Sequence, residues 1–251
     1  MGRAATNALV EYARPQVGMQ VLDLAAGTGE PGITLAQRVG PAGNVTALDL
    51  SQELLDIAAQ RAGQRGLTNF STRQADAHSL PFPDNGFDLA TCRFGVMFFS
   101  DIGKALRELN RALKPGARAC FLAWGPFEQQ PYFEGIAIVA RHVGGPALVA
   151  GGANPFRFGE PGSLSAELRK AGFADVQEET RTVPWTWPGP VEEVWEYERA
   201  VSAPFRALLD RVPPEKWETI NAEVHESLRK YVDGDSVKFG AVVVLASGKK
   251  S

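Results

Sequence analysis

Apolar positions along the first half of the chain change period repeatedly. VLDLA (21–25), VTALDL (45–50), DLATCRF (88–94) and ARACFLAW (117–124) are apolar runs of strand length, and the more polar STRQAD (71–76) reads as a strand among them. The segments between them carry apolar residues at helical spacing. One helix is expected from about Pro31 to Val39, and a second over SQELLDIAAQRAG with Ser51 as N-cap. A third is expected behind Asp101, where Ile102, Ala105, Leu106, Leu109 and Leu113 share a face. Lys114-Pro115-Gly116 then reads as a helix stop. Such alternation predicts an α/β domain with a parallel sheet covered on both faces.

The second half is less regular. SLSAELRKAGF predicts a helix, ADVQEETRTV a strand and VKFGAVVVLAS a final apolar strand. Between those two strands, 184–234 reads as a mostly helical cap insertion, so the main domain is expected to comprise 1–183 and 235–251. The stretch 144–162, rich in Gly and Pro yet too apolar for a simple linker, is expected to be a flexible flap. All five tryptophans (Trp124, Trp185, Trp187, Trp195, Trp217) fall at or after the fifth strand, which points to an apolar pocket under the cap.

Composition narrows the partners. With 251 residues, 44% hydrophobic side chains and a net charge of −3, the chain can bury one large core, and its Lys and Arg are scattered among acids. No basic stripe suggests a nucleic acid or an anionic membrane, and no apolar stretch has the length of a membrane span. A cytoplasmic protein acting on a small molecule is the expectation, and the sequence assigns no oligomeric state. Cys92 and Cys120 sit in apolar strand-like runs and read as reduced core thiols. With His78, His142 and His225 scattered, no metal-ligand cluster is expected.

The candidate chemistry starts where the first strand enters Gly27-Thr28-Gly29-Glu30-Pro31-Gly32, a GxGxxG turn. Such a turn lets backbone N–H groups approach a ligand, but it does not by itself choose which one. Asp23, inside the first strand, needs a partner because a buried charge is costly; a cationic cofactor group or the glycine-loop N–H groups would serve. Asp49 ends the second strand, where a carboxylate can accept from both ribose hydroxyls. At the end of the third strand, Asp76 can accept from an adenine amino group while the Ala77 N–H meets a ring nitrogen. An NAD(P)-dependent oxidoreductase would use the turn and Asp49 but leaves Asp23, Asp76 and the last strand without a role. A non-catalytic adenosyl-ligand-binding protein also fits these residues.

Taken together, VLDLAAGTGE, ALDLS, QADAHSLPFPDNGFDLATCRFGVMFF and ALRELNRALKPGARACFLAW resemble the class I S-adenosylmethionine-dependent methyltransferases of the UbiE/Coq5-like group, over about 19–124. The resemblance implies a Rossmann-like, doubly wound seven-stranded sheet whose last strand is antiparallel, and S-adenosyl-L-methionine as cofactor. It implies that Ala25, Gly27 and Gly29 line the methionine part, Asp49 and Leu50 the ribose and adenine edge, Asp76 and Ala77 the adenine. Arg93 and Phe94 would lie beside the amino-acid end. The family's first glycine is Ala25 here, and only about twenty residues precede the first strand, so a longer N-terminal arm over the pocket is missing or otherwise supplied.

Methyl transfer from a sulfonium is an in-line displacement that needs positioning and exclusion of water more than a protein nucleophile. The expected acceptor is a small, partly apolar metabolite: a phenol, quinone, thiol or polyketide-like molecule. Should a general base be needed, His142, His225, Glu128 and Tyr132 are the candidates in the capping half, and no sequence context singles one out.

Overall fold

The computed structural model describes residues 1–145, 147–148 and 154–251. Helix α1 (Arg3–Ala13) leads into the expected alternation of β1 (Gln20–Leu24), α2 (Gly32–Val39), β2 (Asn44–Asp49), α3 (Gln52–Gln64), β3 (Phe70–Gln74), β4 (Phe87–Arg93), α4 (Ile102–Ala112) and β5 (Leu113–Trp124). Then come α5 (Glu134–Val143), α6 (Ser163–Lys170) and β6 (Phe173–Trp187). The cap helices α7 (Val191–Val201), α8 (Arg206–Leu209) and α9 (Trp217–Leu228) precede β7 (Val232–Asp233) and β8 (Ser236–Lys250).

The sheet runs β3-β2-β1-β4-β5-β8-β6, with two-residue β7 paired to β8 off this path. β1 to β5 pair in parallel, and β8 inserts antiparallel between β5 and β6. The Rossmann-like α/β class, the seven long strands and the antiparallel last strand are as the sequence implied. Strand order reverses between β1 and β4, so their C-terminal ends leave a crevice, the usual ligand position in an open α/β sheet.

Local chemistry fixes the helix ends that border this crevice. The Ser51 hydroxyl accepts from Leu54 N at 3.3 Å and Asp101 Oδ1 from Lys104 N at 2.9 Å, so both expected N-caps form. At the far end of α2, the buried Asn69 amide donates to the Ala36 and Gly40 carbonyls, each at 2.8 Å. Removing that donor pair in Asn69→Ala is expected to lower stability by about 1–2 kcal/mol, read as a fall in thermal midpoint with cofactor affinity unchanged.

Two boundaries differ from the sequence reading. β5 begins at Leu113, with a register shift that absorbs Lys114-Pro115-Gly116 as an irregularity in the strand instead of a stop ahead of it. β6 continues through Pro184 to Trp187 and takes the first residues assigned to the cap. It is the sheet's edge strand, a position where proline is tolerated. The cap helices pack on α5, which belongs to the same layer. Of the expected flap, residues 146 and 149–153 lie outside the described residues; Phe156 and Phe158 beyond them pack against the core.

Candidate active site

The glycine turn is built around Asp23. Its Oδ2 accepts from Gly32 N at 2.9 Å and its Oδ1 from the Thr91 hydroxyl at 2.7 Å, and the side chain is 0% exposed. Burial pushes its carboxyl up to about 7, against the lowering effect of those two hydrogen bonds. Asp23 therefore finds its partners in the loop N–H and a neighbouring strand and, like Gly27 and Gly29, it lines neither cavity described below. Alternation along β1 turns it into the protein, where both oxygens are taken.

After Leu24 the backbone turns left-handed at Ala25 (φ 51°), Gly27 (φ 53°) and Gly29 (φ 109°). A side chain on Gly29 would meet Ile33 Cδ1 at 2.6 Å, so the bend requires glycine. Ala25 keeps the left-handed conformation with a methyl group, and Gly95 makes room for it: a Cβ at Gly95 would lie 2.4 Å from that of Ala25.

Beside this turn lies a crevice of about 390 Å³, bounded by Asp49 and Leu50 after β2, Asp76 to His78 after β3, and Phe94 to Ser100 after β4. Asp49 Oδ2 accepts from Gly27 N at 2.9 Å and Oδ1 from Ser51 N at 3.0 Å, which ties the glycine turn to the next strand and fixes the carboxylate's aim. Asp76 accepts from His78 N at 2.9 Å and pairs with His78 Nδ1 at 2.5 Å; these bonds hold its carboxyl below the usual carboxylate range. Because His78 Nε2 accepts from Asp101 N at 3.1 Å, the ring's proton sits on Nδ1, facing Asp76. Leu50 (67% exposed) and Phe98 (50% exposed) present apolar surface at the crevice mouth, as a flat apolar ring entering there would need.

Phe94, left-handed at φ 56°, borders this crevice and a second, larger cavity of about 940 Å³. That chamber runs under the cap. Phe94 stacks on Trp124 with centroids 4.5 Å apart, and Trp124 packs edge-on against Trp185 (5.1 Å) and Phe133 (5.4 Å). Of the five tryptophans, Trp124, Trp185 and Trp187 line the chamber. Trp195 is buried in the cap, donating to Asn221 Oδ1 at 2.9 Å, and Trp217 packs under Arg199. Trp187, Tyr197 and Phe205 continue the aromatic wall.

Arg93, at the end of β4, borders the chamber and latches α1: its Nη1 donates to the Gly2 carbonyl at 3.2 Å and the Thr6 hydroxyl at 2.9 Å. Burial holds its guanidinium below the usual arginine range. The short N-terminal segment thus supplies cavity wall through Gly2, Arg3 and Thr6. The sequence reading left this helix out, although Ala5, Ala8, Leu9 and Ala13 fall on one helical face. Of the four candidate bases, only Tyr132 lines the chamber. His142 pairs with Glu223 at 2.6 Å on the cap's other side, Glu128 borders a separate small pocket, and His225 lies on α9 outside both cavities.

A crevice at the sheet's switch point, tied by an acid to a glycine turn and sharing Phe94 and Phe98 with an aromatic chamber, is the candidate ligand site on this Rossmann-like frame. The profile of the ubiE/COQ5 methyltransferase family matches residues 3–143, and the chain belongs to that family. It is a SAM-dependent methyltransferase with S-adenosyl-L-methionine as cofactor. It is 27% identical to nocamycin O-methyltransferase of Saccharothrix syringae, over 98% of this chain and 91% of the relative. It is 43% identical to the ubiquinone/menaquinone biosynthesis C-methyltransferase UbiE of Shewanella oneidensis, but over 45% of each chain, so the match spans under half of that relative. Among solved structures, YcgJ of Bacillus subtilis superposes with a TM-score of 0.63 at 20% identity, covering 98% of this chain and 97% of that one.

Proposed function

We propose that the protein transfers a methyl group to a small, partly apolar metabolite held in the aromatic chamber, with the cofactor's adenosyl part in the crevice. One observation carries this reading: Phe94 is common to both cavities, so a group spanning the crevice presents its far end to the chamber. Asp49 would accept from the ribose hydroxyls and Leu50 cover the adenine edge. Asp76 and the Ala77 N–H would face the adenine, while Ala25, Gly27 and Gly29 leave main chain open to the methionine part. Arg93 and Phe94 would flank the amino-acid end. When bound, S-adenosylmethionine supplies a methyl group already activated by a sulfonium. The chain's task is then to orient the acceptor and exclude water, effects that together are worth up to roughly 7–11 kcal/mol.

The aromatic part of the walls supports the acceptor class. Stacked aromatic faces favour a flat, apolar body, in keeping with a phenol, quinone, thiol or polyketide-like acceptor. The relative aligned along nearly its whole length is named for O-methylation of nocamycin, and the UbiE relative for quinone C-methylation; both acceptor types fall inside this class.

The test is turnover of methyl-labelled S-adenosylmethionine on a panel of phenols, quinols, thiols and polyketide aglycones, with parallel calorimetry against S-adenosylhomocysteine and NADH. Label transfer to a planar oxygen or carbon acceptor, with no NADH binding, is expected. S-adenosylhomocysteine binding without turnover on any panel member would support a non-catalytic adenosyl-ligand protein instead.

A further inference from the structure

Helix α7 packs into the cap through Val191, Val194, Trp195 and Glu198, an i, i+3, i+4, i+7 stripe in which the last position is an acid. Glu198 is 0% exposed, and neither of its carboxyl oxygens has a hydrogen-bond partner among the described residues. A buried polar group left unpaired costs about 1–3 kcal/mol, so an apolar residue would serve the helix better if packing were its only duty. The neighbouring α7 positions reach the chamber: Tyr197 lines it, as does Ser202 one turn further on.

Two more polar groups in the same region lack protein partners. Trp185 lines the chamber with its Nε1 buried and unpaired, and Tyr132, 6.0 Å from Trp185 between ring centroids, lines it with no hydrogen bond to its hydroxyl among the described residues. Tyr132 and Glu198 are electrostatic neighbours. Burial raises the Tyr132 phenol, and an ionised Glu198 would raise it further. An ionised carboxylate with no partner at 0% exposure is far costlier to bury than the neutral acid, so burial raises the Glu198 carboxyl and favours its protonated, donating form.

We propose that Trp185, Tyr132 and Glu198 form an oxygen-recognising pole in the aromatic chamber, selecting acceptors that present a carbonyl or ionised hydroxyl oxygen on a flat ring. This deepens the acceptor-site reading of the chamber and rests on it. With Glu198 protonated, each of the three groups carries a hydrogen to donate, and none has an acceptor among the described residues. Glu198 does not itself line the chamber, but because its carboxyl holds no hydrogen bond among the described residues, turning it toward the chamber breaks none. Such a pole favours phenolates, enolates and quinone-type carbonyls. A thiol, whose sulfur is a weak acceptor, or an amine, with a single lone pair, gains less.

The experiment uses the full chain and two probes, 4-nitrophenol above the pH at which its hydroxyl ionises and nitrobenzene, each titrated by quenching of tryptophan fluorescence. Wild type is expected to prefer the phenolate about ten-fold or more. Glu198→Gln, which keeps an N–H donor, retains most of that preference; Glu198→Leu loses it with nitrobenzene affinity unchanged. Trp185→Phe is the second variant should Glu198→Leu not fold, and it is expected to lose preference the same way. Equal affinity for the two probes in wild type overturns the proposal, as does Glu198→Gln losing the preference as fully as Glu198→Leu. Calorimetry with S-adenosylhomocysteine is run on the same samples. Its failure would sink the methyl-transfer reading, whereas loss of probe preference alone sinks only the oxygen pole.

Discussion

An Asp23→Asn variant is expected to lose a pH dependence of stability that wild type carries between about pH 4 and about pH 7. The sign follows from burial. Asp23 has its carboxyl raised to about 7 in the folded chain and near 4 when unfolded, so through that window the folded state holds a proton that the unfolded state has released. Stability from this group is complete below the unfolded value and is lost as pH rises through the folded one. The full loss is on the order of 4 kcal/mol. Asparagine has no proton to release. Its carbonyl can accept from Gly32 N and its amide donate to Thr91 Oγ1, with the hydroxyl turned, so the glycine turn keeps its support. Urea denaturation of both proteins at pH 4.5 and 8 reads the difference: the variant gains on wild type at the higher pH. Parallel curves at the two pH values would show that Asp23 is ionised throughout.

The second large effect concerns cofactor affinity. Asp49→Ala is expected to weaken S-adenosylhomocysteine binding by about 1.5–3 kcal/mol, roughly ten- to a hundred-fold, because a charged acceptor is lost from the crevice wall. The same substitution frees Gly27 N and Ser51 N, both of which Asp49 holds. The glycine turn therefore loses its tie to β2, and the penalty includes reordering of that loop. Calorimetry on a variant whose circular dichroism matches wild type checks it. An unchanged dissociation constant rejects the role given to Asp49.

Much of this architecture is legible in the sequence because each crevice element has its own local signal. Apolar runs of strand length lie between helices with hydroxyl or carboxylate caps at Ser51 and Asp101, and Asp49 and Asp76 stand at strand ends where a carboxylate faces a crevice. What the sequence does not tell is which way a side chain points. Asp23 reads like Asp49 and Asp76, yet strand alternation turns it inward onto Gly32 and Thr91. Pro184 reads as a strand end because proline breaks interior ladders, and only the edge position of β6 lets the strand run through it. Helix α1 is short and alanine-rich, and long-range packing on the sheet and a latch to Arg93 make it cavity wall. Glu198 looks like one more solvated acid in VEEVWEYERAV until the helix phase places it on the buried stripe.

The central claim is that the crevice and the aromatic chamber are two halves of one site meeting at Phe94. A crystal structure with S-adenosylhomocysteine tests it most directly. The account predicts the ribose on Asp49, the adenine between Leu50 and Phe98, and the sulfur at Phe94 facing the chamber. An adenosyl group lying elsewhere, or a sulfur turned away from the chamber, would contradict it.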